Sequence, residues 1–295
     1  MKEKRNLTFK VKEQNELMKF LIENLPNKNR NNIKSLLKNK QVLVDGAAIS
    51  QFNHPLNPGQ EVMITESRFS DKDMKGIKVV YEDEYLIAIE KASGILSIAT
   101  DKEREKTAYN IVKNYVKSRN PLEKLFIVHR LDRETSGVMI FAKTEEMQQF
   151  LQTNWQKMVL ERTYVAVVEG KVEKNSDTII SYLKENSAFV TFSSDKEIEG
   201  SKKAITHYTV LKRSKGFSLV EANIETGRKN QIRVHMQSLG HSVVGDKKYG
   251  ATTNPLGRLG LHAKSIIFKH PKTGKVLSFQ TGIPAKFSGM FKNNL

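Results

Sequence analysis

The sequence has no cysteine, one tryptophan and seven prolines in 295 residues. The missing cysteine excludes disulfides, thiolate catalysis and cysteine-ligated zinc, and it suits a reducing cytoplasm. No apolar run approaches the ~18 residues of a membrane-spanning helix. The charged start Met1-Lys2-Glu3-Lys4-Arg5 leads into no apolar stretch of a signal peptide. A cytoplasmic protein with no membrane partner is expected. The seven histidines are scattered, with no carboxylates at ligand spacing, so no metal is expected. Acids are scarce, 32 against 49 lysines and arginines, which gives a formal net charge of +17. Such an excess raises the local concentration of polyanions and speeds their encounter. A soluble protein from a lysine-rich proteome would carry it too, so charge alone leaves both readings open.

A small N-terminal unit, residues 1–70, comes first. Apolar residues at Leu17, Met18, Phe20, Leu21, Ile22 and Leu25 are spaced for one face of a helix that Pro26 ends. Asn31 or Asn32 is suited to cap a second helix running to Lys40, with Ile33, Leu36 and Leu37 inward. Val42-Leu43-Val44 reads as a strand entering the tight turn Asp45-Gly46, and Pro58-Gly59 as a turn before the strand Glu61–Ile64. This pattern resembles an S4-type RNA-binding module. It departs at Lys40, where glycine is common, at Asp45, where asparagine is common, and at Gln60, where aspartate is. The resemblance implies that Arg30, Lys34 and Lys38 lie along phosphates, with Lys40 beside them. A solvated helix face is the alternative.

Polar residues 71–76 read as a linker, and residues 77–295 as one larger domain. Its apolar runs, Val79–Tyr81, Leu86–Glu90, Val138–Ala142, Tyr164–Val168, Thr206–Leu211, Ser218–Ile224 and Ser265–Phe268, predict strands. Helices are expected at Thr107–Ser118, Glu145–Met158 (capped by Thr144) and Arg228–Leu239, and a loop or irregular hairpin at Lys184–Lys203. Strands dominate without regular β-α-β alternation. The expected class is α+β, with a large mixed or antiparallel sheet.

Three segments carry candidate chemistry. Val128-His129-Arg130-Leu131-Asp132-Arg133-Glu134 leads into Thr135-Ser136-Gly137, read as a turn, and then an apolar strand. Asp132 there either caps local N–H groups or is presented for chemistry. Tyr164, in Arg162-Thr163-Tyr164-Val165-Ala166, starts a strand apolar on both faces and is either a core tyrosine or a cleft tyrosine. Thr226-Gly227-Arg228-Lys229-Asn230-Gln231-Ile232-Arg233 turns out of a strand into a helix. The start of that helix is suited to hold a phosphate.

Together, in this order, the segments resemble the RluA-type pseudouridine synthases over roughly Val79–Pro284. Glu90-Lys91-Ala92-Ser93-Gly94 (alanine in place of proline), Gly240–Gly250, Leu261-His262-Ala263 and His270–Gly274 agree. Asn230 stands where the family often has histidine. The resemblance implies a cleft-bearing catalytic domain that isomerises uridine in RNA to pseudouridine without a cofactor. It implies Asp132 as the essential carboxylate, Arg233 as its ionic partner and Tyr164 as the ring packed on the target base. Arg130 would enter the space left by the extruded uridine, with Arg228, Lys229 and Ile232 near the substrate. Asp132 would act on the ribose, by proton abstraction, or on C6 of the base. Within that family the two-domain layout implies large-subunit ribosomal RNA as substrate, with transfer RNA as the alternative, and a monomer is expected. Two other readings compete. A non-catalytic RNA-binding or ribosome-assembly protein of the same fold would have a damaged Asp/Tyr/Arg set. A sugar hydrolase would need a second cleft carboxylate.

Overall fold

The computed structural model describes residues 7–65, 74–101, 103–120 and 122–291. Contacts divide the chain into two compact units, Met1–Lys75 with Tyr109–Leu125, and Gly76–Ala108 with Phe126–Leu295. The helix expected at 107–118 within the larger domain therefore groups with the smaller unit. That unit is assembled from two stretches of chain rather than from residues 1–70 alone. The expected linker, 71–76, falls partly outside the described residues.

The first unit runs β1 (Leu7–Lys10), β2 (Asn15–Glu16), α1 (Leu17–Asn24), α2 (Arg30–Lys38), β3 (Val42–Val44), β4 (Ala47–Ala48), β5 (Pro55–Leu56) and β6 (Glu61–Ile64). Four of these strands pair in the order β1-β6-β3-β4. Leu17, Leu21, Ile33 and Leu37 are buried in one cluster with Val42, Val62 and Ile64. The apolar stripe of each helix is thereby covered. α2 starts earlier than expected because Asn29 caps it, accepting the Asn32 N–H at 2.8 Å. Arg30, Lys34 and Lys38 are exposed along its outer side. The helix ends at Lys38, and Lys40 takes φ 56°, a left-handed conformation that glycine adopts more easily. Asp45 and Gly46 both have positive φ, 48° and 83°, as a type I′ turn requires.

The chain continues through β7 (Ile77–Glu82), β8 (Leu86–Lys91), α3 (Ala108–Arg119), β9 (Phe126–Ile127), β10 (Ser136–Ala142), α4 (Glu145–Met158) and β11 (Val159–Glu169). It then forms β12 (Ser176–Glu185), β13 (Thr191–Ser194), β14 (Lys202–Ser214), β15 (Phe217–Ile224), α5 (Gln231–Ser238), β16 (Leu261–Lys269), β17 (Val276–Gln280) and α6 (Ala285–Gly289). The class is α+β, built on an 11-stranded mixed sheet with the path β13-β12-β14-β15-β11-β16-β10-β8-β7. The polar stretch 184–203 forms a hairpin, with Lys184 opposite Phe192. β13 is an edge strand of the sheet, with Thr191 buried and Phe192 exposed, and it has no apolar run to announce it. α4 has the expected ends, and the Thr144 hydroxyl accepts the Met147 N–H at 3.2 Å.

The sheet's two halves join at β10 and β16, the one parallel strand pairing among the described residues. It spans Ser136↔His262 and Gly137↔Ala263. Beyond it the strands part: β10 takes β9 as partner, and β16 takes β17. Met147, Leu151, Phe268 and Phe279 are buried together in the apolar cluster beside that divergence. Ser136 and Gly137, expected in a turn, are thus buried strand residues at the seam. Gly137 has φ 119°, and a Cβ there would lie 2.1 Å from the Ala263 carbonyl oxygen. Neither backbone can yield without breaking the junction. Gly137→Ala is therefore expected to destabilise the fold by about 4 kcal/mol or more, the range reserved for backbone overpacking and strain. Urea unfolding monitored by circular dichroism checks this.

Candidate active site

A cleft of about 870 Å³ opens beside this junction. Its walls are the loop before β10, the C-terminal half of α4, the start of β11, and the segment from Ile224 to Arg233. Tyr164 lies in β11 opposite Ala263 of β16, next to a bulge that shifts the register between Thr163 and Tyr164. Bulges re-aim side chains, and Tyr164 lines the cleft. Burial raises its phenol above the ordinary value, the Asp132 charge adds to this and Arg162 opposes it. Tyr164 is therefore a protonated, flat, half-buried ring.

Asp132 does not cap its own turn. Its backbone carbonyl accepts the Thr135 N–H at 3.2 Å, while carboxylate Oδ2 accepts from Arg233 Nη1 at 3.4 Å. Oδ1 has no donor among the described residues. The loop that carries it is stapled from below by residues 91–97, the segment that resembles the family's Lys-Pro-Ser-Gly stretch. Ser97 Oγ donates to the Leu131 carbonyl at 2.6 Å, Ser93 Oγ to the Glu134 carbonyl at 2.7 Å, and the Gly94 N–H to the Arg133 carbonyl at 2.9 Å. Lys91, fully buried, donates to the carbonyls of Ile95 (2.7 Å), Ala92 (3.1 Å) and Arg133 (3.2 Å). Burial lowers its ammonium to about 8, against the pull of Glu134 and Asp132.

Arg233, on the first turn of α5, is held mainly by a residue the sequence pattern did not single out. Asp246, with 1% side-chain exposure, takes Nε at 2.6 Å and Nη2 at 2.7 Å in a two-pronged pair. Asn230 Oδ1 accepts from Nη1 at 2.9 Å, and the Tyr249 ring lies under the guanidinium at 4.8 Å. Burial opposes the charge, but the hydrogen bonds and charge of Asp246, helped by Asp132, hold Arg233 above its ordinary value.

α5 starts at Gln231, three residues later than expected, because Asn230 is left-handed (φ 57°). Gln231 closes the turn, accepting from Thr226 Oγ1 and the Arg228 N–H and donating to the Ile205 carbonyl. Arg228 lines the cleft while its Nε binds the Lys203 carbonyl at 3.0 Å, and Lys229 pairs with Glu185. Ile232 is 5% exposed and belongs to the apolar cluster behind Tyr164. Arg130 is exposed at the cleft and has no hydrogen bond or ion pair among the described residues. His129 accepts the Ile140 N–H through Nε2 at 2.9 Å and packs on Trp155. Burial first, then Arg162, lowers it to about 3, so it is neutral at physiological pH.

Residues 85–238 match the family described as RNA pseudouridylate synthase. The chain belongs to the RNA pseudouridine synthase family. It is similar to an uncharacterized RNA pseudouridine synthase, YlyB, of Bacillus subtilis, at 30% identity over 93% of this chain and 92% of the relative. A ribosomal large subunit pseudouridine synthase D of Nitrosomonas europaea is 30% identical over 92% and 82% of the two chains. Among solved structures, human RNA Pseudouridylate Synthase Domain Containing 4 has the same fold, with a TM-score of 0.59, 22% identity and coverage of 74% and 92%. Pseudouridine synthases are isomerases that modify RNA, so the non-catalytic and hydrolase readings give way. Among the described residues no cluster of histidine and carboxylate groups could hold a metal. Among the described residues no helix is long and apolar enough to cross a membrane.

The pin under the Asp132 loop gives a pH test. The folded value of Lys91, about 8, lies below the ordinary 10.5. Between those values the unfolded chain binds more protons, so stability rises with pH, at up to about 1.4 kcal/mol per pH unit. Lys91→Met is expected to remove that rise and to slow pseudouridine formation by about 10- to 100-fold through loop displacement. Denaturant unfolding at about pH 7.5, 8.5 and 9.5, with single-turnover rates at neutral pH, checks both.

Proposed function

We propose that Asp132 is the essential carboxylate of this synthase and that Tyr164, Arg233 and Arg130 serve it. The observation that carries the reading is the convergence on one cleft of a carboxylate with a free oxygen, a fixed guanidinium and a half-buried protonated tyrosine. The reaction breaks the N1–C1′ bond of a uridine and joins C5 of the same uracil to C1′. The C5 proton leaves and N1 gains one, so the product is an isomer and no cofactor is consumed. Each route open to Asp132 needs an ionised carboxylate, and the adjacent guanidinium meets one of its oxygens. Tyr164 stacks on the extruded uracil, as single-stranded bases stack on aromatic side chains. Arg130, free at the rim, fills the gap left in the RNA, offsetting an unstacking cost of a few kcal/mol. Arg228, Lys229 and the apolar Ile232 complete the walls that hold the substrate.

The substrate is large-subunit ribosomal RNA, in the cytoplasm. The names of several relatives support this, as do the net charge and the exposed Arg30, Lys34 and Lys38 of the N-terminal unit, which acts as an S4-like RNA clamp. Phosphate contacts of that kind position RNA without reading its sequence.

Asp132→Asn is expected to reduce tritium release from C5-labelled uridine in RNA by at least about 1,000-fold while RNA affinity stays within about threefold. Retained activity would overturn the assignment. Replacing Arg30, Lys34 and Lys38 together by glutamate should weaken RNA binding roughly tenfold or more and reduce the slope of log affinity against log salt by about 2 to 3. An unchanged slope removes the clamp. Pseudouridine mapping in ribosomal and transfer RNA, with and without the gene, tests the target, and loss confined to transfer RNA would overturn the ribosomal assignment.

A further inference from the structure

The use of Arg233 is lopsided. Of its five N–H bonds, two go to Asp246 at 2.6 and 2.7 Å, one is shared with Asn230 at 2.9 Å, and the contact with Asp132 is the longest, at 3.4 Å. An arginine present to neutralise Asp132 would meet it in the short, forked geometry that it gives to Asp246.

The Asp246 side chain has no partner but Arg233 among the described residues. Its backbone shapes the turn independently, the carbonyl accepting from the N–H groups of Tyr249 and Ala251. Burying a carboxylate is costly unless it is paired and hydrogen-bonded, and here both oxygens are spent on one guanidinium. Asn230 closes the cage. Its Oδ1 takes Nη1 while its Nδ2 donates to the Tyr249 hydroxyl at 2.9 Å, tying the residue beside Arg233 to the ring beneath it.

We propose that Asp246, seconded by Asn230, is a positioning residue of the pseudouridylation reaction: it holds Arg233 so that the guanidinium orients Asp132 by one edge without closing on it. The inference rests on the assignment of Asp132 as the essential carboxylate. It explains how Asp132 stays beside a cation and still keeps an oxygen free for substrate. It also accounts for Asn230, a short side chain that tolerates the left-handed backbone and reaches both Arg233 and Tyr249.

Asp246→Asn keeps the shape of the side chain and removes its charge. Arg233 then has one full carboxylate left to pair with, and the pair with Asp132 tightens. The other groups near Asp132 stay in place: Tyr164 and Arg162 on β11, and Lys91 beneath the loop. A folded Asp246→Asn protein should show kcat lowered by about 30-fold or more, KM for RNA within about threefold, and the acidic limb of its pH–rate profile moved to lower pH. A purely structural role predicts a lower melting temperature with unchanged kcat and limb, and that result would overturn the proposal. A parallel loss of RNA affinity and kcat would do so too. If Asp246→Asn fails to fold, Asn230→Ala carries the test, with kcat down about 3- to 10-fold at constant KM expected and an unchanged kcat decisive against it. Activity in Asp132→Asn sinks the underlying assignment. A dead Asp132→Asn beside a normal Asp246→Asn sinks this inference alone.

Discussion

The closest constraint in the catalytic unit is the approach of Gly137 to Ala263. A parallel pairing of two residues joins the sheet's halves, and it exists because one of the four residues lacks a Cβ. The geometry that follows is set by chain length. Asp132 lies five residues before Gly137, so it emerges at the end of β10. Tyr164 pairs with Ala263 from the other side. Once the seam forms, an acid and an aromatic ring from distant parts of the chain face one space. Past it the strands part and an apolar cluster forms beside them, so the site stands against a packed wall rather than on a free loop.

The seam sets direction but not fine position, which falls to two buried charges of opposite sign. Lys91 gathers three carbonyls under the Asp132 loop, and Asp246 grips Arg233 from the far side. Each buried ion costs desolvation, and neither is a sensible way to gain stability alone. Lys91 holds the backbone beside Asp132, and Asp246 holds Arg233 in the cleft wall. The charges are therefore better understood as fixing geometry, and rigid supporting shells are what precise sites require.

Much of this was legible in the sequence. α4 and its Thr144 cap follow from local signals, as do the strands with continuous apolar runs. Asp132, Tyr164 and Arg233 stand out through the resemblance their segments carry. What was not legible depends on distant partners. Ser136 and Gly137 look like a turn because their strand character comes from β16, about 125 residues away. Asp246 sits in a glycine-rich stretch where an acid usually means a turn, and only the fold brings it to Arg233. The polar edge strand β13 has no hydrophobic period to reveal it. Local patterns name the elements and the candidate residues, while long-range electrostatics decides how those residues are held.

An excess of cations creates a problem within an RNA enzyme. A site that attracts phosphate can also neutralise its own carboxylate. Here the two demands fall to different residues. The exposed cations Arg30, Lys34 and Lys38 lie on the N-terminal unit, and Arg130 lies exposed at the cleft rim. The cation nearest Asp132 is only 14% exposed in its side chain and is already engaged by Asp246. A guanidinium that is saturated from behind is less able to collapse onto Asp132 or to bind a passing phosphate. Under the proposed mechanism, in which Asp132 acts while a detached uracil turns in place, that restraint protects the carboxylate from the charges that bring the substrate to it.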